Sequence, residues 1–384
     1  MNTDKIKTTH VGSLPRPEWF FASWKTLRSE MSEEAHLQLQ QAVDEIVEFQ
    51  LSAGIDIVND GELSKPSYAT YITSRLDGFG EGEPDEARAN GILGDIIEFP
   101  EYAHRLIESG RVNVDEMRLV CVDEVEPNAH GGEEIALDIS CLSNALAANE
   151  NVEGFMSAAS PGVISVFQIN QHYSSQDEYL EALAEAMRPE YEAIAEAGFM
   201  VQLDCPDLAM NRHLGYYKQD EQKFMKSVAR NVEVLNHATR NIPSDRLRMH
   251  VCWGNYDGPH HCDVPLQTII GEILKAKPAG LLLEGANPRH AHEVDVFSSV
   301  ALPDDKYLVP GVIDTCTNYI EHPELVANRI VAYAERVGKE RVMAGTDCGF
   351  STYADLPNVV PSIARAKLRT LAEGAEIATE RLFG

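Results

Sequence analysis

Four side chains that suit a soft metal ion lie at the ends of apolar runs in the C-terminal part of the chain. His250 and Cys252 fall in the run 248–256, Glu284 closes Gly280-Leu281-Leu282-Leu283, and Cys348 sits in Gly345-Thr346-Asp347-Cys348-Gly349. One imidazole, two thiols and one carboxylate form a set that Zn²⁺ accepts in tetrahedral geometry. His-x-Cys places both side chains on one face of an extended segment, because side chains alternate along a strand. A Glu after three leucines needs an ion or a hydrogen-bonding partner if it is buried. Taken singly, these residues read as ordinary structure; a shared metal explains all four. Such a site would carry a formal charge of about -1, which lowers the pKa of an incoming thiol while keeping its sulfur nucleophilic. The expected chemistry is S-alkylation of a thiol.

Other polar residues gather at further strand ends. Asp204, followed by Cys205-Pro206-Asp207, could hold an ammonium group or act as a base, or simply cap a helix. Glu62 follows Asp60-Gly61 in the same manner. The loop 8–17 is rich in Gly and Pro, and its amides around Gly12, with Ser13 and Arg16, could grip a carboxylate or sulfonate. The cluster His260-His261-Cys262-Asp263 follows the turn-like Asp257-Gly258-Pro259 and reads as a solvated loop or as support around the site.

The elements that must position these residues alternate. Candidate strands cover 6–10, 55–59, 163–168, Met200–Asp204, 247–252, 280–284, Tyr307–Ile313 and 342–346, separated by amphipathic stretches at 33–53, 176–197, 220–240, 266–277 and Pro323–Val337. Repeated strand-then-helix order implies a parallel sheet, and eight such units imply a closed (β/α)₈ TIM barrel of the α/β class. An open doubly wound sheet is the alternative, but no Gly-x-Gly-x-x-Gly turn accompanies it. The rhythm breaks over about 71–159, read as an insertion after the second strand within one catalytic domain spanning 1–384. Two alternating runs there, 118–125 and 134–141, suggest a hairpin with His130-Gly131-Gly132 near its turn. Active sites of such barrels lie at the C-terminal ends of the strands, so the polar residues above should converge.

Bulk properties narrow the function. With 384 residues, 44% hydrophobic and 24% charged, the chain can bury a large core. A net charge of -29 disfavours nucleic acid and anionic membrane as partners, leaving small molecules. No apolar run approaches the roughly 20 residues of a membrane span, and no secretory signal is visible. Seven scattered cysteines do not form a disulfide framework, so a cytoplasmic setting with free thiols is expected.

In order along the chain, Gly12-Ser13-Leu14-Pro15, Asp60-Gly61-Glu62, Gln202-Leu203-Asp204-Cys205-Pro206, His250-Val251-Cys252, Leu283-Glu284, Pro310-Gly311-Val312-Ile313-Asp314 and Asp347-Cys348-Gly349 resemble the C-terminal catalytic domain of cobalamin-independent methionine synthase. Short relatives of that family include core methionine synthases and epoxyalkane:coenzyme M transferases. The resemblance implies a (β/α)₈ fold, zinc on the residues matching His250, Cys252, Glu284 and Cys348, and an amino-acid site at Ser13, Glu62 and Asp204. It implies transfer of the methyl of 5-methyltetrahydrofolate to homocysteine, with an epoxide or other alkyl donor and coenzyme M as the runner-up pair. Two departures stand out. The family's Asp-x-His, whose histidine carries a proton, is here Asp314-Thr315-Cys316, making Asp314 and Cys316 the catalytic candidates of that loop. Its Asp-Glu-Pro is here Asp204-Cys205-Pro206. A metal-free barrel lyase similar to uroporphyrinogen decarboxylase is the reading from another class, and a non-enzymatic zinc protein a third.

Overall fold

The computed structural model describes residues 4–21, 24, 32–82, 94–96, 98–108, 119–149, 151–213, 220–354 and 358–384. Short apolar segments pair in parallel because each is followed by an amphipathic helix that returns the chain to the same edge. The strands of the main sheet are β1 (Ile57–Val58), β4 (Glu153–Ala159), β5 (Met200–Asp204), β6 (Leu247–Val251), β7 (Gly280–Leu283), β8 (Tyr307–Ile313) and β9 (Gly345–Thr346), hydrogen-bonded in that order. Two further strands, β2 (Phe79–Glu81) and β3 (Leu119–Cys121), form a separate antiparallel pair in the insertion.

Segment 6–10 closes the ring. Thr8 bridges Ala344 in parallel, Thr9 N donates to the Ala344 carbonyl at 2.9 Å, and Ile57 N donates to the Thr8 carbonyl at 3.1 Å. With this segment as the eighth stave, the fold is a (β/α)₈ barrel. Its interior holds Val11, Ile57, Phe155, Leu282, Val309 and Met343. The guanidinium of Arg248 lies 3.6 Å from the centroid of the Phe155 ring.

The outer helices are α1 (Glu33–Ser52), α2 (Ala129–Leu146), α3 (Pro161–Phe167), α4 (Gln176–Glu196), α5 (Glu221–Ala238), α6 (Leu266–Ile273), α7 (Pro323–Val337) and α8 (Pro361–Phe383). Several begin where a side chain takes up an orphan amide: Ser32, Asn128, Ser160, Ser175 and Asp220 each accept from a backbone N–H of the first turn.

Two expectations are corrected. The run 163–168 is not a strand: 163–167 lies in α3, which Ser160 caps and Pro161 opens, Gln168 is the C-cap of that helix, and the strand is the preceding β4. Every residue of Pro161–Phe167 except Ser165 is buried, so the run lacks the polar face that would have marked a helix. The expected hairpin is also absent. Residues 134–141 and His130-Gly131-Gly132 lie in α2, while Leu119–Cys121 pairs with Phe79–Glu81 instead. Arg118, the first residue of the expected run, lies outside the described residues.

Candidate metal centre

Strand β6 carries His250 on its inward face, and Cys252 follows on the same side one residue past its end. Cys348 arrives from the far side of the sheet, two residues after β9. The ligand atoms of His250, Cys252 and Cys348 lie within 4.8 Å of one another, and the two Sγ atoms are 3.9 Å apart. Zinc–sulfur bonds of about 2.3 Å in a tetrahedron place two sulfurs about 3.8 Å apart, so this spacing fits such an ion without rearrangement. Neither ring nitrogen of His250 has a hydrogen bond of good geometry, apart from a weak approach of the Leu282 backbone. Burial pushes its pKa down to about 4, leaving a neutral imidazole with a free lone pair. A buried imidazole without partners, beside two thiols, is a costly arrangement that a cation would relieve.

Glu284 falls outside that 4.8 Å set but adjoins it. Its Oε1 accepts from Trp253 N at 2.9 Å and its Oε2 from Asn287 Nδ2 at 3.2 Å. Burial, and then the neighbouring Cys252, push its pKa well above the ordinary carboxylate range. The two thiols share a hydrogen bond, which holds Cys252 down and pushes Cys348 up. Asp347 straps the Glu284 loop in place, accepting from Gly285 N, Ala286 N and Asn287 N at 2.7–2.9 Å.

The part of the mouth around Asp204 is continuous with this centre, because Asp204 and His250 are register partners on adjacent strands. Asp204 accepts from Gln202 Nε2 at 3.0 Å; burial and then Glu62 push its pKa up to about 7. Glu62 takes a left-handed backbone (φ 55°), and its buried Oε2 has no hydrogen-bond partner. Gly12 has φ +146°, and a Cβ there would collide with Glu62 Oε1 and Ser157 Oγ, so only glycine lets the two loops meet. Ser13 lies beside the Cys348 loop: Phe350 N donates to its carbonyl at 2.8 Å and Ser351 N to its Oγ at 3.3 Å. Arg16 is buried and engaged by the chain itself. Its guanidinium donates to the carbonyls of Glu62, Leu63 and Lys65 and so holds the loop that carries Glu62.

Asp314 and Cys316 occupy the loop after β8. The Asp314 carboxylate accepts from Cys316 N, Thr317 N and the Thr317 hydroxyl. The Cys316 thiol donates to Asn255 Oδ1 at 3.1 Å, and burial pushes its pKa well above the ordinary range.

His260 and Asp263 are buried, so of the two readings of this cluster, a solvated loop or support around the site, burial removes the first for these two residues. Asp263 Oδ2 meets His260 Nδ1 at 2.9 Å and His290 Nε2 at 2.8 Å, while Oδ1 lies 2.5 Å from His213 Nε2. His260, Asp263 and His290 could also surround an ion, but both ring nitrogens of each histidine already face acceptors. Asp95 of the insertion joins this network through Tyr256 Oη at 2.5 Å and His260 N at 3.0 Å.

Sequence reasoning missed four residues that shape the site: Arg248, Lys65, Asn255 and Asp95. Arg248 was legible in principle, since it alternates with His250 on the inward face of β6; it donates to Thr9 Oγ1 and the His10 carbonyl, both at 3.0 Å. Lys65 donates to the Ser157 carbonyl at 2.5 Å and contributes positive charge to Asp204. The other two act across loops and leave no local pattern.

Residues 125–373 match the family described as cobalamin-independent synthase, catalytic domain. The chain belongs to that family. A methionine synthase of Saccharolobus solfataricus is 23% identical over 384 residues, covering 98% of this chain and 96% of the relative. One of Thermococcus kodakarensis is 25% identical over 382 residues, covering 98% and 94%. A B12-independent methionine synthase structure from Shewanella sp. W3-18-1, in complex with selenomethionine, aligns at TM-score 0.69 with 18% identity over 98% of this chain and 99% of that one. A putative vitamin-B12-independent methionine synthase from Listeria monocytogenes aligns at 0.65 with 20% identity and the same coverage, which supports the barrel fold. Membership in the cobalamin-independent synthase family makes this chain an enzyme, a methyltransferase. No helix among the described residues is long and apolar enough to cross a membrane.

Proposed function

We propose that this chain is a zinc-dependent S-methyltransferase that makes methionine from homocysteine with a 5-methyltetrahydrofolate as donor, and that 1–384 acts as one catalytic domain. The observation that carries the reading is the pair of sulfurs 3.9 Å apart beside a buried imidazole with no good hydrogen bond of its own. His250, Cys252, Glu284 and Cys348 would hold the ion, Glu284 by giving up a hydrogen bond that now occupies it. Bound there, zinc would lower the pKa of the substrate thiol and keep its sulfur nucleophilic.

The remaining work falls to the chain itself. Asp204 and Glu62, both buried and facing the same space, pair with the substrate ammonium. Ser13 and the amides around Gly12 take its carboxylate. Burial in the barrel mouth excludes water and fixes the sulfur for in-line attack on the methyl carbon. As the S–C bond forms and the N–C bond breaks, the methyl moves to sulfur, the thiol proton leaves, and the donor nitrogen ends protonated. Cys316 holds its proton tightly, so we assign it and Asp314 to hydrogen-bond support of the mouth, with no part in carrying that proton.

The test is a screen of homocysteine, coenzyme M and other thiols against methyltetrahydrofolate and epoxide donors, with elemental analysis of the purified protein. Methionine formation with close to one zinc per chain is expected. Alkylation of coenzyme M alone would reject homocysteine as acceptor. Activity without metal would reject the role of the two cysteines.

A further inference from the structure

We infer that Asn255 is a positioning residue that sets the separation of the two ligand sulfurs, an inference that rests on the metal-site reading above. Cys252 and Cys348 follow β6 and β9, which are not neighbours: β7 and β8 stand between them. No ladder of hydrogen bonds therefore fixes one sulfur against the other, and the spacing must come from the loops.

Asn255 stands three residues after Cys252 and spans that gap. Its Nδ2 donates at 2.8 Å to the carbonyl of Gly349, the residue after Cys348. Its Oδ1 accepts from Thr315 Oγ1 at 2.9 Å and Cys316 Sγ at 3.1 Å, in the loop after β8. Two hydrogen donors at one end and a carbonyl at the other settle which way the amide points. The link back to the metal centre is also fastened. Gly254 N donates to Cys252 Sγ at 3.2 Å, and Asn358 Nδ2 donates to the Asn255 carbonyl at 2.8 Å.

A planar amide with a donor on one side and an acceptor on the other is what this position demands. Aspartate would keep the acceptor and lose the donor to Gly349, and alanine would lose both. Thr315 and Cys316 are the anchors that orient the amide, which gives the thiol at 316 a use that needs no ionisation.

Two measurements on the full-length chain test the inference. The first is metal affinity by chelator competition, with Co²⁺ as a spectroscopic probe of thiolate coordination. Substitutions around a metal site typically weaken binding about ten- to a hundredfold; Asn255→Ala and Asn255→Asp should do so and weaken the sulfur-to-cobalt charge-transfer bands. Thr315→Val should follow them, whereas Thr315→Ser, which keeps the hydroxyl, should restore wild-type behaviour.

The second measurement needs no metal. Diamide oxidises the stripped protein, accepting two electrons and two protons from Cys252 and Cys348 as their S–S bond forms, and peptide mass spectrometry follows the product. Asn255→Ala should slow this closure roughly tenfold, because the sulfurs are no longer held in proximity. Circular dichroism checks that each variant is folded, and the isosteric Asn255→Asp serves if alanine is not tolerated. A closure rate equal to wild type in both Asn255 variants overturns the inference, whatever the metal result. A wild-type protein that takes up no metal, yet closes its disulfide more slowly once Asn255 is replaced, rejects the metal reading and leaves the spacing role standing.

Discussion

Binding of an amino acid to this barrel should switch on as Asp204 ionises. Methionine is the probe of choice, since it has the ammonium and carboxylate of the proposed substrate but no thiol to titrate. In the metal-stripped chain, burial and Glu62 set the Asp204 pKa at about 7. A cation at His250 would pull that value down, so the metal is removed first. The carboxyl is then about one-tenth ionised at pH 6 and about nine-tenths at pH 8. If only the carboxylate pairs with the ammonium, methionine should bind roughly tenfold more tightly at pH 8 than at pH 6. Asp204→Asn removes a charge-assisted contact worth on the order of 1.5–3 kcal/mol, or roughly ten- to a hundredfold in affinity. The variant should bind weakly at both pH values and lose the step between them. Isothermal titration calorimetry at pH 6, 7 and 8 measures both effects. A flat wild-type profile, or a step that survives in Asp204→Asn, would refute the assignment of Asp204 to the ammonium.

Three further outcomes are expected. Cys252→Ser and Cys348→Ser should each lose the bound metal and thiol alkylation while circular dichroism stays that of a folded barrel, because a hydroxyl is a poor replacement for a thiolate on zinc. Asp207, held by Ser160 and Asn231, has its pKa pushed by burial from 3.8 to about 6. The folded state therefore binds the proton more tightly, and this residue's contribution to stability falls as pH rises from about 4 to 6. Asp207→Asn should remove that loss, with a wild-type-minus-variant difference in unfolding free energy on the order of 2–3 kcal/mol between pH 4 and pH 7. Arg75 is buried against Glu134, Asp138 and Glu190, so Arg75→Met should strand their charges and cost about 3–5 kcal/mol in denaturant unfolding.

Much of the frame could be read from the residues. Met200–Asp204, Tyr307–Ile313 and Pro323–Val337 agree residue for residue, because turn residues bound each apolar run or helical stripe. The errors have physical causes. In α2, Ile135, Leu137, Ile139 and Cys141 alternate like a strand, yet the residues that pack inward are Ile135, Asp138, Cys141 and Leu142 at helical spacing. Arg75 pairs with Asp138, a contact that no local pattern announces. The proposed metal ligands were legible because their chemical types sit at strand ends, where a barrel gathers them. The network around Asp263 was not, since its partners come from four separate segments: 95, 213, 260–263 and 290–293.

The closing stave has a consequence for how the enzyme comes into being. Segment 6–10 completes the ring against Ala344, and Val11 N reaches Thr346 Oγ1 across 335 residues of sequence. The same segment leads directly into Gly12 and Ser13. A nascent chain cannot complete this end of the mouth until residues 344–346 have been synthesised. Contacts so distant in sequence make their entropic cost due before their reward. The N-terminal stretch can pair early with the segment around Ile57, but its other edge stays open until Ala344 arrives, and there a chaperone or a protease would find it. Closure of the ring at this seam, and with it the final placement of Gly12 and Ser13, is thus a late event of folding.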